Sequence, residues 1–287
     1  MPYPIPHEPN DDIITPTFDD EPERDDVLRE DYIINVKTAP KPVHDAHKDT
    51  HNESAPPDLS KIFDTEKHTA YVQGVGDNLF QPDRPITRAE AVQVFYNLLH
   101  DKSPTSQKTF PDAPSDEWYF EAINALTAMG IIDGYPDGNF YPQTYITRAE
   151  FVAMAVRFTD QPRCAHNARF ADVSNSHWAY ECINTAICYG WINGHDGIFF
   201  TPDLNLSRAE ALTIVNRMLH RHPDTDFIDS HKHLNPFTDV TPTHWAYYNI
   251  MEAAITHDIL LHSDDDDSDE DWLDDDEPDT IDGAVVD

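Results

Sequence analysis

One tetrapeptide returns at a fixed interval. Thr87-Arg88-Ala89-Glu90, Thr147-Arg148-Ala149-Glu150 and Ser207-Arg208-Ala209-Glu210 stand 60 residues apart, and the same step relates Gly74, Gly134 and Gly194, then Phe80, Phe140 and Phe200, then Pro82, Pro142 and Pro202. A second block leads from Phe-x-Asp to Trp: Phe110-Pro-Asp112 to Trp118, Phe170-Ala-Asp172 to Trp178, and Phe237-Thr-Asp239 to Trp245. A supersecondary unit of this size cannot bury its apolar face alone, so the copies must pack against one another. That requirement limits the chain to one repeat architecture.

Each unit reads as helix, loop, helix. Asp116, Ser176 and Thr243, two positions before each Trp, are suited to cap the first helix, and Ile123/Leu126, Ile183/Ala186 and Ile250/Ala253 follow at helical spacing. Gly130 and Gly190 stop the first two of these helices. The loop Gly134-Tyr-Pro-Asp137-Gly138 has turn chemistry. The second helix starts at the Thr/Ser of the tetrapeptide and carries Val92, Phe95 and Leu98, or Val152, Ala155 and Phe158, or Leu212, Val215 and Met218. Residues 58–70 occupy the first-helix place of repeat one without its Trp, keeping Phe63. Residues 237–256 carry a Trp-led helix with no second helix after it. This orphan helix is expected to pack next to repeat one, closing an all-α, pseudo-threefold six-helix bundle.

The boundaries expected are a disordered acidic segment over 1–57, repeats at 58–105 (first helix degraded), 106–168 and 169–235, the orphan helix at 236–262, and a disordered acidic tail at 263–287. Charge sets the two ends: residues 1–60 carry 15 Asp and Glu against 5 Lys and Arg, and residues 263–287 carry 14 against none. The net charge of −35 excludes a phosphate-binding surface, hence nucleic acid, and docking on anionic lipid. No run approaches the ~18 apolar residues of a membrane span, and the first residues show no basic-then-apolar leader. Cys164, Cys182 and Cys188 form no metal-type pair and read as small buried hydrophobes.

These motifs resemble the S-layer homology (SLH) family: Phe-x-Asp, a Trp-led helix, Gly-Ile-x-x-Gly-Tyr-x-Asp-Gly-x-Phe-x-Pro, and Thr-Arg-Ala-Glu opening a second helix. The second repeat, Phe110 to Phe158, matches almost throughout. The third has Ser207 and Gly194-His195, and the first has Gly74-Val75-Gly76-Asp77. The resemblance implies a three-pronged assembly at the surface of a Gram-positive bacterium. It also implies noncovalent binding, in grooves between prongs, of a secondary cell-wall polysaccharide associated with peptidoglycan, often pyruvylated. Surface-layer proteins are further partners it suggests, and no cofactor and no membrane insertion are expected.

The tetrapeptide supports two readings. Thr87, Thr147 and Ser207 with Glu90, Glu150 and Glu210 fit a capping box, where each side chain satisfies a backbone donor at the helix start. Arg88, Arg148 and Arg208 fit less well, because a cation in the first turn meets the positive end of the helix dipole. An anion shared between guanidinium and free N–H groups would resolve the conflict, and a pyruvyl carboxylate is one such anion. Pairing with the protein's own carboxylates is the alternative. Trp118, Trp178 and Trp245 suit either sugar stacking or core packing, and Gly134 and Asp137 complete the expected glycan-binding set. The stretch His220–His233 reads as a solvated linker rather than a metal site. No nucleophile or acid/base constellation is legible, so no catalysis is expected. The competing function is a structural or oligomerisation scaffold of a surface layer, which would tolerate loss of the arginines.

Overall fold

The computed structural model describes residues 57–65, 67–159, 170–194, 198–261 and 270–273. The N-terminal acidic segment up to residue 56, Cys164, His195 and the acidic runs Asp264–Asp267 and Asp274–Glu277 lie outside them. The helices are α1 (Arg88–Leu98), α2 (Phe120–Ala128), α3 (Arg148–Val156), α4 (Tyr180–Cys188), α5 (Arg208–Met218), α6 (Thr225–Ser230) and α7 (Tyr247–Ala254). A two-stranded antiparallel ladder, β1 (Ile259–Leu261) with β2 (Glu270–Trp272), follows.

Six of these helices form three laterally packed pairs, α1 with α2, α3 with α4 and α5 with α7. The apolar positions read from the sequence are the ones buried: Val92, Phe95, Val152, Ala155, Val215, Ile123, Leu126, Ile183 and Ile250 are at most 2% exposed. Phe95 joins the pairs, lying 5.3 Å from Phe151 and 5.1 Å from Phe158, ring centre to ring centre, and Phe63 lies tilted 4.8 Å from Phe158. Phe63 therefore keeps its core place although residues 57–65 form a turn instead of a helix.

The threefold relation is written most plainly in the backbone. Ile86 N–H donates to Leu206 C=O at 2.8 Å, Leu206 to Ile146 at 3.0 Å, and Ile146 to Ile86 at 3.1 Å. All three side chains are at most 1% exposed. This closed triangle stands immediately before α1, α3 and α5.

The Phe-x-Asp blocks fix the loops. Asp112 accepts from the N–H groups of Phe140 and Tyr141 at 2.9 and 2.7 Å. Asp172 does the same for Phe200 and Thr201, and Asp239 for Phe80 and Gln81 at 2.8 and 2.7 Å. Tyr141, Thr201 and Gln81 all take left-handed φ angles of 54–58°, a costly conformation for residues with a Cβ, and the carboxylates hold them there. The third case joins residues 159 positions apart. The orphan helix α7, the Asp239 block before it and residues 71–98 thus make up one unit split between the two ends of the bundle. Tyr71 N–H to Ala253 C=O (3.0 Å) and Thr238 N–H to Asn78 C=O (2.8 Å) seal the seam.

Four expectations need correction. The Trp-led helices begin at Phe120, Tyr180 and Tyr247, after a turn holding Asp116, Ser176 and Thr243, and their N-cap residues make no side-chain cap. In two of these turns a ring serves instead, with Ala179 and Ala246 N–H groups directed at Nδ1 of His177 and His244. The stretch 220–233 is folded: α6 is capped by Asp224 and buries Ile228, because Arg221, 2% exposed, reaches the carbonyls of Lys67 and Thr69 and pins the segment down. Residues 270–273, assigned to the tail, pair with 259–261, and Trp272 is buried against His257 and Phe227. Cys188 is disulfide-bonded rather than a buried thiol.

Candidate functional site

Each of α1, α3 and α5 begins with a complete capping box. Thr87, Thr147 and Ser207 accept the backbone N–H of Glu90, Glu150 and Glu210, whose carboxylates accept the N–H of the capping residue in return. The next two donors of each helix are also taken. Arg88 and Ala89 N–H groups bond to Thr144 and Pro142, Arg148 and Ala149 to Leu204 and Pro202, and Arg208 and Ala209 to Arg84 and Pro82. The free N–H groups that the anion reading requires are thus occupied by carbonyls of the next repeat.

The arginines follow the same rotation. Arg88 Nε donates to Phe140 C=O at 3.0 Å, Arg148 Nε to Phe200 at 2.9 Å and Arg208 Nε to Phe80 at 2.9 Å. Each guanidinium lies 4.5–4.9 Å above the ring of that same phenylalanine. Each then meets the capping-box glutamate of the following repeat: Arg88 and Glu150 at 3.6 Å, Arg148 and Glu210 at 2.8 Å, Arg208 and Glu90 at 3.0 Å. All three are buried, 4–7% exposed. The anion that offsets a cation at a helix start is the chain's own carboxylate.

The three corners are alike in frame and different in lining. At the corner between repeats one and two, Arg88 also lies 4.7 Å over the Tyr135 ring. Tyr135 Oη donates to Glu150 Oε1 at 2.8 Å, and Tyr141 Oη and Asn139 both bond to Asp137. Tyr135, Tyr141 and Tyr145 are 36–46% exposed. In the third repeat the places of Tyr135 and Tyr141 fall to His195 and Thr201, and in the first to Val75 and Gln81. Arg88, farthest of the three from its glutamate, thus shares its corner with an exposed tyrosine cluster.

Trp118 and Trp178 are 56% and 61% exposed and stand outside the core, whereas Trp245 is half-buried and packs against it. Gly134 has a packing role: at φ 72° it lies where a Cβ would overlap the Phe110 ring and stand 2.9 Å from Asn139 O. Gly74 and Gly194 meet Phe237 and Phe170 in the same way. Sequence reasoning missed the double acceptor role of Asp112, Asp172 and Asp239, although their recurrence in every Phe-x-Asp block signalled it. It also missed a buried trio, His68, Glu252 and His257, drawn together from both ends of the bundle. Among the described residues no helix is long and apolar enough to cross a membrane.

The S-layer homology domain model matches residues 69–92, 109–152 and 169–212. A cellulosome-anchoring protein of Acetivibrio thermocellus is 32% identical over 70% of this chain and 45% of its own length. Cell surface glycoprotein 1 of the same organism is 34% identical over 73% of this chain and 9% of its own. An amylopullulanase of Thermoanaerobacterium thermosulfurigenes matches over 52% of this chain and 8% of its own length. The chain therefore spans less than half the length of these curated relatives. The matched segments take in the three loops and the three capping boxes described above, and with its three repeats the chain belongs to the S-layer homology family.

Proposed function

We propose that this chain holds a protein at the surface of a Gram-positive bacterium by binding an anionic cell-wall polysaccharide, pyruvylated sugars included. The corner between repeats one and two is the principal binding surface in this reading. The observation that carries it is the lining of that corner: a guanidinium over one exposed tyrosine, with a carboxylate, an amide and further tyrosines within one loop. Aromatic faces suit sugar rings, Asp137 and Asn139 suit hydroxyl groups, and Arg88 suits a carboxylate. The exposed Trp118 and Trp178 extend the aromatic surface. An anchoring protein and a surface glycoprotein among the relatives support the reading. So does the disulfide at Cys188, a bond at home outside the reducing cytosol.

In this reading Thr87, Thr147, Ser207, Glu90 and Glu210 act by shaping the corners, Arg148 and Arg208 by closing them, and Gly134 by seating the loop. The test is sedimentation of the protein with purified, protein-free cell-wall sacculi. Tyr141→Ala and Asp137→Ala, both at exposed positions, should weaken binding at least tenfold with unchanged circular dichroism. Binding equal to the parent in both variants would leave the scaffold function in its place.

A further inference from the structure

We infer that His68, Glu252 and His257 form a binding site for a divalent transition metal ion of the zinc class, placed at the seam where the two ends of the bundle meet. This goes beyond the anchoring function and does not depend on it. His68 precedes the first loop, whereas Glu252 is on α7 and His257 follows it, so the trio joins the two halves of the split unit. His68 and Glu252 are 2% and 0% exposed and His257 is 8% exposed.

The donor atoms form a small triangle. His68 Nδ1 lies 3.1 Å from His257 Nε2 and 2.9 Å from Glu252 Oε1, and His257 Nε2 lies 3.4 Å from Glu252 Oε2. Ligands bonded to one ion at 2.0–2.2 Å with angles between square and tetrahedral stand about 2.8–3.6 Å apart. The three edges fall at that scale.

The carboxylate supplies a second, independent indication. Both Glu252 oxygens are fully buried, and their polar neighbours among the described residues are the two imidazole nitrogens, at 2.9 and 3.4 Å. A buried carboxylate left so is costly, and a cation between the three groups would satisfy it. His68 Nδ1 and His257 Nε2 are themselves hydrogen-bonded at 3.1 Å, so an ion bound here would displace the shared proton.

The surroundings orient the ligands. His257 Nδ1 lies 2.9 Å from Ile255 C=O, so it carries the proton and leaves the Nε2 lone pair facing the trio. The Trp272 ring stacks on His257 at 3.5 Å between centres and shields the site. Two neutral imidazoles and one carboxylate suit zinc better than calcium or magnesium, which favour oxygen donors. The site acts as a clasp: with the bond between His257 N–H and His68 C=O beside it, an ion would fasten the start of the repeat region to its last helix.

Full-length protein without a polyhistidine tag, stripped with a chelator, would be titrated with Zn2+ by calorimetry in excess Ca2+, which occupies the acidic segments. The expected result is one tight equivalent of Zn2+ and a rise in Tm of roughly 5–10 °C at saturating metal. Glu252→Gln and His257→Gln should each abolish that equivalent. Absence of stoichiometric binding, an unmoved Tm, or binding that survives both substitutions would overturn the site and leave a proton-sharing trio. Should the variants not fold, Co2+ in the unmodified protein decides: intense visible bands of a four- or five-coordinate nitrogen-ligated ion support the site, and the weak spectrum of hydrated Co2+ overturns it.

Discussion

Arg148 Nη1 stands 2.8 Å from Glu210 Oε1, across the boundary between the second and third repeats, with both side chains almost wholly out of solvent. The same glutamate closes the capping box of its own helix through the Ser207 N–H at 2.8 Å. One carboxylate thus serves a helix cap and an inter-repeat ion pair together. Arg148→Ala would strip the guanidinium from that carboxylate and from the Phe200 carbonyl. Breaking a buried pair by removing one partner costs about 3–5 kcal/mol. Urea unfolding of Arg148→Ala should show a lower midpoint of that size, and a midpoint matching the parent would show that the pair contributes nothing.

The ring of pairs also predicts acid sensitivity. Burial alone pushes the Glu90 carboxyl up, but bonds from Arg84 and the Thr87 amide, with the Arg208 charge nearby, outweigh it and hold it below the ordinary glutamate value. A carboxyl depressed on folding stabilises the native state above its unfolded pKa, near 4.3 for glutamate. That stability is lost as pH falls through the lower, folded value. Melting temperature should therefore drop below pH ~4, and Glu90→Gln should show a shallower drop. Parallel pH profiles for parent and variant would contradict this.

Gly134 sits at positive φ beneath the Phe110 ring. Gly134→Ala meets both a strained backbone and a ring that must move, at a cost of ~2–3 kcal/mol. Adding Phe110→Leu should recover part of the loss, because the obstructing ring is gone. Chemical denaturation of the two variants checks this, and additive losses would place the strain elsewhere.

Trp118 and Trp178 allow binding and folding to be separated. Being more than half exposed, they should change stability by no more than ~0.5 kcal/mol on substitution by Ala. Any loss of wall sedimentation in Trp118→Ala then reports direct contact with the polymer. A Tm lowered by many degrees would instead mark the ring as structural.

The 60-residue step made the helices and the buried stripes legible, because one interval must satisfy every copy of the unit, but the orphan helix expected beside repeat one packs on α5 of the third repeat. It fixed which residues are equivalent without showing which copy a side chain reaches. Arg148 reads as a cation at a helix start whose anion is either a ligand's or the chain's own, until Glu210, in the next repeat, is seen beside it. Trp118 suits core packing and sugar stacking alike in the sequence, because amphipathic spacing cannot reveal that it stands in a turn ahead of α2. His68 and Glu252 lie at opposite ends of the repeat region, and no periodicity connects them. What escaped the sequence is the set of contacts made between copies and across the seam.

That seam gives the last prediction. α7 buries Tyr247, Ile250 and Met251 on one face, each 1% exposed or less, and packs against α5. Asp239, just before it, holds the first loop through Phe80 and Gln81. Truncation after residue 236 would remove these three large apolar side chains and uncover the core surface they pack on, worth roughly 1.5–3 kcal/mol each, and release a left-handed Gln81 from its carboxylate. The combined loss approaches the whole stability of an ordinary domain, about 5–15 kcal/mol. Because α5 and the first loop both lose their partner, damage should reach repeats one and three together while the α3–α4 pair keeps its contacts. Hydrogen exchange of the truncated chain should therefore show protection lost first in residues 71–98 and 208–218, and last in 148–156. Protection lost in repeat three alone would mean that the first unit stands without its distant half, against the split-unit fold.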